Sequence, residues 1–346
     1  MKKIIYSFFL MVVILALSGC KKKSSEKSKQ KVVSQSAKPL IGFSIDTLAI
    51  ERWQRDLDIF MGTAKSLDAE VIVQNAGNSI EEQKRQMLYL ASRNVDVIVV
   101  VAKEAKAMSD VLEKIAAKNI PVIAYDRLIL DAPISLYMTI NSESVGAIMG
   151  YQMQKIMPNS NWSLILGPEE DNNMKMIFQG LSKSTRNSGI TISDLFYTQG
   201  WNYDLSRQHT IDLITGGNIP DAIVCGNDAV DDSVLSVLRA YYPNRHIPIC
   251  GQDADIAACQ NIVRGYQDFT VYKPIGKLAE IAAEYSIKIA RGEKISDLVP
   301  EKDTIDNGYG QIPAVMLEPV YVNKDNIDAV VIDSGFHTYG EVYKEN

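Results

Sequence analysis

The chain has 346 residues, with 36 Lys and Arg against 42 Asp and Glu and a formal net charge of −6. Without a basic run in its body, nucleic acid is excluded as a partner. The length is too great for one ordinary core and suits two lobes.

In chain order, Lys2 and Lys3 precede an apolar run from Ile4 to Leu17. That run is too short to span a bilayer and fits the core of a signal peptide over residues 1–19. It ends in Leu17-Ser18-Gly19-Cys20, which resembles the lipobox of bacterial lipoproteins, where the cysteine is lipidated. An anchor helix or an ordinary cleaved signal are the alternatives. Residues 20–38 are rich in Lys, Ser and Gln and nearly devoid of large apolar side chains. Such a stretch cannot offset its chain entropy by burial and reads as a flexible tether.

The body alternates strands and helices. Strands are expected at 40–45, 70–74, 95–101 and 121–125, with helices between them and a capping box from Ser79 to Glu82. The continuous apolar run at 95–101 suits a strand buried on both faces. After a strand at 136–140 the alternation resumes, with strands near 163–166, 190–197, 222–225, 248–251 and 269–272. A long helix over 274–291, a turn-rich passage over 292–311 and a strand over 315–322 follow. This repetition predicts an α/β fold with parallel sheets and right-handed crossovers. About ten such units exceed one compact sheet, so two sheets with a cleft between them are expected.

Four polar clusters end apolar runs: Asp126-Arg127, Asp171-Asn172-Asn173, Gly226-Asn227-Asp228 and Gly251-Gln252-Asp253. Ligands of open parallel sheets bind beyond the carboxyl ends of the strands, so the clusters are expected to face one site. No G-x-G-x-x-G after a strand, P-loop or nucleophile elbow is present, and the acidic pairs lack EF-hand spacing. Asp231-Asp232 reads as a solvated helix start. No cofactor or metal is implied, and the three histidines lie far apart. Cys225, Cys250 and Cys259 read as small buried hydrophobes. Trp53 and Trp201 border polar clusters, and in a sugar site an aromatic face covers the C–H face of the ring. Arg52, Arg127 and Lys273 balance Asp126, Asp228 and Asp253, so the pocket is nearly neutral and suits a polyol better than an anion.

Together Glu51-Arg52-Trp53-Gln54, Tyr125-Asp126-Arg127, Asp171-Asn172-Asn173, Asn227-Asp228-Ala229, Gly251-Gln252-Asp253, Tyr272-Lys273-Pro274 and Gly335-Phe336-His337 resemble the D-xylose-binding proteins of bacterial ABC importers. These belong to the ribose/galactose group of type I periplasmic binding proteins. The resemblance implies two Rossmann-like lobes joined by three crossover segments, near Ile140, Lys273 and Asp306. The lobes would be 39–140 with 275–306, and 141–274 with 307–346. It implies a monosaccharide, xylose, between the lobes. Arg52, Asp126, Arg127, Asn173, Asn227, Asp253 and Lys273 would bind its hydroxyls, and Trp53 and Trp201 would flank the ring. It implies no enzymatic activity, a monomer, and an ABC permease as partner; a membrane histidine kinase or chemoreceptor is the alternative. The tether and the lipobox at Cys20 depart from free periplasmic members and imply a membrane-anchored extracytoplasmic form.

Overall fold

The computed structural model describes residues 38–49 and 51–344. The expected signal peptide, Cys20 and all of the tether before Lys38 lie outside them. The first sheet is built from β1 (Leu40–Ile45), β2 (Glu70–Asn75), β3 (Val97–Val101), β4 (Val122–Tyr125) and β5 (Leu136–Ile140). Between them run α1 (Glu51–Ser66), α2 (Ile80–Ser92) and α3 (Ser109–Ala116). Every residue of β3, Val-Ile-Val-Val-Val, is buried. That is the signature of a central parallel strand covered on both faces, each such side chain contributing about 1.5–3 kcal/mol of burial. At α2 the Ser79 hydroxyl accepts from the Glu82 amide, while the Glu82 carboxylate turns to Arg85 and Gln86. Only the Ser79 half of the expected capping box is therefore used in the way that motif requires.

The chain leaves the first sheet at Asn141. It then forms α4 (Ser142–Ile156), β6 (Asn161–Leu166), α5 (Asn172–Thr185), β7 (Thr191–Tyr197), a 3₁₀ turn (Gln199–Trp201), α6 (Tyr203–Thr215) and β8 (Ala222–Cys225). α7 (Asp228–Tyr241), β9 (Ile249–Cys250), α8 (Ile256–Arg264) and β10 (Phe269–Tyr272) complete this run. At Pro274 it returns as α9 (Ile275–Ala290), whose apolar face joins α1 in the core over the first sheet. Then come α10 (Ile295–Leu298), β11 (Thr304–Asp306), β12 (Gln311–Leu317), β13 (Val320–Asn323), a π-helical turn (Asp328–Ile332) and α11 (Tyr339–Val342).

The first sheet has the order β11-β12-β5-β4-β3-β1-β2 and the second β13-β10-β9-β8-β6-β7. Only β11 with β12 and β10 with β13 pair antiparallel. β12 lies parallel to β5, from Ala314↔Tyr137 to Leu317↔Ile140. The third crossing is therefore at Glu318-Pro319, not near Asp306, and residues 307–317 belong with the first lobe. The strand expected over 315–322 is two strands in different sheets. Pro319 has no N–H to give a ladder, which breaks the run there. At the crossings, Asn141 caps α4 by accepting from the Ser144 amide, and its Nδ2 donates to Glu318 Oε1 at 3.0 Å.

In the second lobe α4 and α5 cross at glycines. A Cβ on Gly146 would stand 1.8 Å from the Ile177 carbonyl oxygen, and one on Gly180 1.9 Å from that of Glu143. The helices thus meet backbone to backbone. Cys225, Cys250 and Cys259 are buried free thiols. Cys225 and Cys250 lie in different cores, on opposite faces of the second sheet. Asp231 corrects the expectation of a solvated helix start: it is fully buried in α7, and neither carboxylate oxygen has a hydrogen-bond partner. The apolar inner face of α7, with Val230, Val234 and Leu235, carries it into the core.

Candidate functional site

The carboxyl ends of the strands in both sheets supply the expected site residues, each for a local reason. After β4, Asp126 takes φ 63°. Its carbonyl is pinned there by the Tyr137 and Thr139 hydroxyls at 3.0 and 2.9 Å. After β9, Asp253 has φ 105°, and Trp201 at the end of the 3₁₀ turn has φ 56°. Positive φ is uncommon for residues with a Cβ and concentrates at functional sites. Asp171 caps α5 by accepting from the Asn173 amide, which sets Asn173 in the first turn. Asn227 caps α7 by accepting through Oδ1 from the Val230 amide at 2.9 Å.

Five of these residues form one connected group. Arg52, in the first turn of α1, donates through Nη2 to Asp126. Asn173, from the other lobe, donates through Nδ2 to Asp126 Oδ1 at 2.9 Å. Arg127 donates to Asp46 Oδ2 at 2.6 Å and to the Ala102 carbonyl at 3.1 Å. Trp53 lies under both guanidinium groups, with Arg52 4.5 Å and Arg127 5.4 Å from its ring centre. Such cation–π contacts stiffen the ring as well as the arginines. Trp53 is also buried in the first-lobe core, so only an edge of it is open to the cleft.

Lys273, at the second crossing, pairs with Asp253 Oδ1 at 2.5 Å. The two groups share one electrostatic field. Burial pushes the Asp126 carboxyl upward, but Arg52, Lys273 and Arg127 outweigh it and hold it below its usual range. Burial opposes the charge on Arg52, yet Asp126, Asp56 and Asp253 keep it raised and fully cationic. Every buried charge in this array has an opposite partner, as desolvation demands.

Trp201 stands apart from that group. Its ring presses on Gly167 after β6, where a Cβ would lie 2.2 Å from Cη2. It packs against two of the second lobe's cores, one on each face of the sheet. Asp228 turns away from solvent and is wrapped by donors: Thr270 Oγ1 at 2.8 Å, Gln267 Nε2 at 3.1 Å and the Asp255 amide at 3.0 Å. Its carboxyl is pushed well up by burial and by Asp255, Asp231 and Asp253. It orders the loops after β8 and β9 more than it offers oxygens to a ligand. A cavity of about 380 Å³ opens beside Arg52 and Asp253, lined also by Tyr203, Arg55, Ile275 and Phe336.

Three contributors escaped the sequence. Asp46, after β1, is the buried counter-ion of Arg127. Asp56, one turn along α1 from Arg52, accepts from the Tyr125 hydroxyl at 3.0 Å. Tyr203 lines the cavity. The i, i+4 spacing of Arg52 and Asp56 was the one available signal.

A periplasmic binding protein domain matches residues 41–294. The chain belongs to the periplasmic binding protein family. It is accordingly a binding protein and not an enzyme. It is 35% identical over 308 residues to the D-xylose-binding periplasmic protein of Haemophilus influenzae, covering 88% of this chain and 92% of that one. The Escherichia coli D-xylose-binding periplasmic protein is 36% identical over 308 residues, covering 87% and 92%. Among solved structures, an ABC transporter solute binding protein from Clostridium phytofermentans with bound β-D-glucose superposes with a TM-score of 0.80. It is 26% identical and covers 88% of this chain and 99% of that one. Among the described residues no helix is long and apolar enough to cross a membrane, and no group of His, Cys, Asp or Glu could hold a metal ion.

Proposed function

We propose that the protein captures a neutral aldose, D-xylose first, outside the cytoplasm and delivers it to an ABC-type permease, held at the membrane by a lipid on Cys20. The supporting observation is the charge-balanced array at the cleft. Arg52, Arg127 and Lys273 are matched by Asp126, Asp46 and Asp253. A ligand that brings its own charge would unbalance buried pairs, whereas hydroxyl groups accept from the arginines and donate to the carboxylates. Arg52, Trp53, Asp126, Arg127, Asn173, Asp253 and Lys273 are the residues proposed to touch it. Trp201 and the Asn227 amide would close it from the second lobe. The relatives in Haemophilus influenzae and Escherichia coli carry the name of a xylose binder along nearly their whole length.

Calorimetry on the chain from residue 21 onward tests the ligand. Saturable binding of xylose, weaker binding of glucose and none of amino acids is expected. A misfitting hydroxymethyl group costs about 1–3 kcal/mol. Binding of an amino acid with no heat from xylose would refute the reading. The anchor is tested by detergent partition of the full chain: it should enter the detergent phase, and Cys20→Ser should return it to water.

A further inference from the structure

Beneath the expected sugar contacts lies a carboxylate that the ligand cannot reach. Asp56 is 1% exposed, on the face of α1 that turns toward β4. Its Oδ2 accepts from the Tyr125 hydroxyl at 3.0 Å and stands 3.6 Å from Arg52 Nε. Its Oδ1 has no hydrogen-bond partner, and neither has Arg52 Nε. Arg52 thus lies between two acids. Asp126 holds its outer end, in the cleft, and Asp56 faces its inner end, inside the lobe.

Asp126 has competing duties, since it already accepts from Asn173 and is proposed to accept from the ligand. Asp56 has none. The charged or titratable groups facing it are Arg52 on its own helix, Tyr125 and Asp126 from the end of β4, and Lys273 from the second crossing. α9 meets α1 there with apolar side chains, among them Ile275 and Leu278. Nothing else in that surround can replace Asp56 as the inner holder of the guanidinium.

We propose that Asp56 is the positioning residue that fixes Arg52 for the sugar, and that affinity therefore falls as pH drops below neutrality. This rests on the sugar-binding reading of the cleft. When Asp56 is ionised, Arg52 is gripped at both ends and its fork is set before the ligand arrives. When Asp56 gains a proton, the inner grip is lost. The guanidinium must then be ordered at the moment of binding, which costs affinity. Burial and the nearby Asp126 push the Asp56 carboxyl up to about 7, against the pull of Arg52, so the change falls in the accessible range. By linkage, the form that binds better is the deprotonated one, and ligand uptake releases a proton.

The experiment is calorimetry with xylose on the chain from residue 21, at about pH 8 and about pH 6, on either side of that value. Affinity should weaken on the order of fivefold on acidification, as expected for losing one partly buried ion pair. In buffers of different ionisation heat near neutrality, proton release should be seen. Asp56→Asn should bind at every pH as the parent does at the acid end, and release no proton. Tyr125→Phe removes the hydroxyl that stabilises ionised Asp56 and touches nothing in the cleft, so its pH midpoint should move upward. His337 lines the adjoining cavity, so persistence of the profile in Asp56→Asn would assign it elsewhere and overturn the proposal. A flat profile in the parent, or tighter binding in acid, would do the same while leaving sugar binding intact. Absence of any xylose binding would instead remove the reading on which the proposal rests.

Discussion

Asn173 Nδ2 donates to Asp126 Oδ1 at 2.9 Å, and the two residues belong to different lobes. Asn173 opens α5 over the second sheet, and Asp126 ends β4 in the first. Together with a longer contact of 3.5 Å to the Asp126 carbonyl, this bond ties the lobes together in the cleft, between two groups that a sugar would use. The ligand must either bridge this pair or displace it. It shifts the balance between open and closed forms only by the difference in what it gains from each.

Asn173→Ala should weaken xylose binding by about 1 kcal/mol or somewhat more, the net worth of one buried hydrogen bond, and widen the ligand-free protein. Calorimetry gives the first value, and the radius of gyration from solution scattering gives the second. An affinity equal to the parent's would place Asn173 outside the site.

Arg127→Ala should damage folding as well as binding. Asp46 is buried and would lose the guanidinium that faces it at 2.6 Å. Breaking a buried pair from one side costs about 3–5 kcal/mol, and the partial exposure of Arg127 brings this toward the lower figure. Denaturant unfolding of the variant should show a lower midpoint at unchanged slope. Asp253→Asn, by contrast, keeps the shape at φ 105° and should lose affinity with little loss of stability.

Asp231→Asn should stabilise the protein. Burial pushes the Asp231 carboxyl far above its ordinary value, so the folded chain keeps a proton that the unfolded chain releases. A raised carboxylate makes stability fall as pH rises above the unfolded value of about 4. The variant removes that loss. Its advantage should be near zero at about pH 4 and grow to about 1–3 kcal/mol near neutrality. A gain independent of pH would show that Asp231 is not carrying the proton.

Xylose should change tryptophan fluorescence saturably, and Trp53→Phe should remove most of the change. Trp53 is held between Arg52 and Arg127, the two cations proposed to meet the ligand's hydroxyls. Trp162 is fully buried and bonded to Ser160, so it serves as a constant background. A signal that survives in Trp53→Phe would have to come from Trp201.

Much of this architecture was legible because burial on both sides leaves a plain mark. The unbroken valine and isoleucine of β3 and the polar clusters after β4, β8 and β9 are visible without coordinates. The third crossing was not. β12 and β13 read as one apolar run, and the choice of sheet depends on pairing with β5 and β10, which lie far away in sequence. Charged residues misled in the same way. Asp231 looks like any acid at a helix start, and Asp46 and Asp56 look like ordinary surface acids until the strands around them are placed. Composition reports what a residue is, and only packing reports which way it turns.

The glycine crossing of α4 and α5 has a mechanical meaning. With no side chains between the two backbones at Gly146 and Gly180, neither helix can slide without the other. α4 starts at Asn141, which is bonded to Glu318, so two of the three crossings grip its first turn. α5 begins at the cleft, with Asn173 in its first turn. The pair works as a stiff lever whose short arm is at the pivots and whose tip touches Asp126. Any side chain larger than hydrogen at Gly146 or Gly180 would have to push the two helices apart and so draw Asn173 away from Asp126.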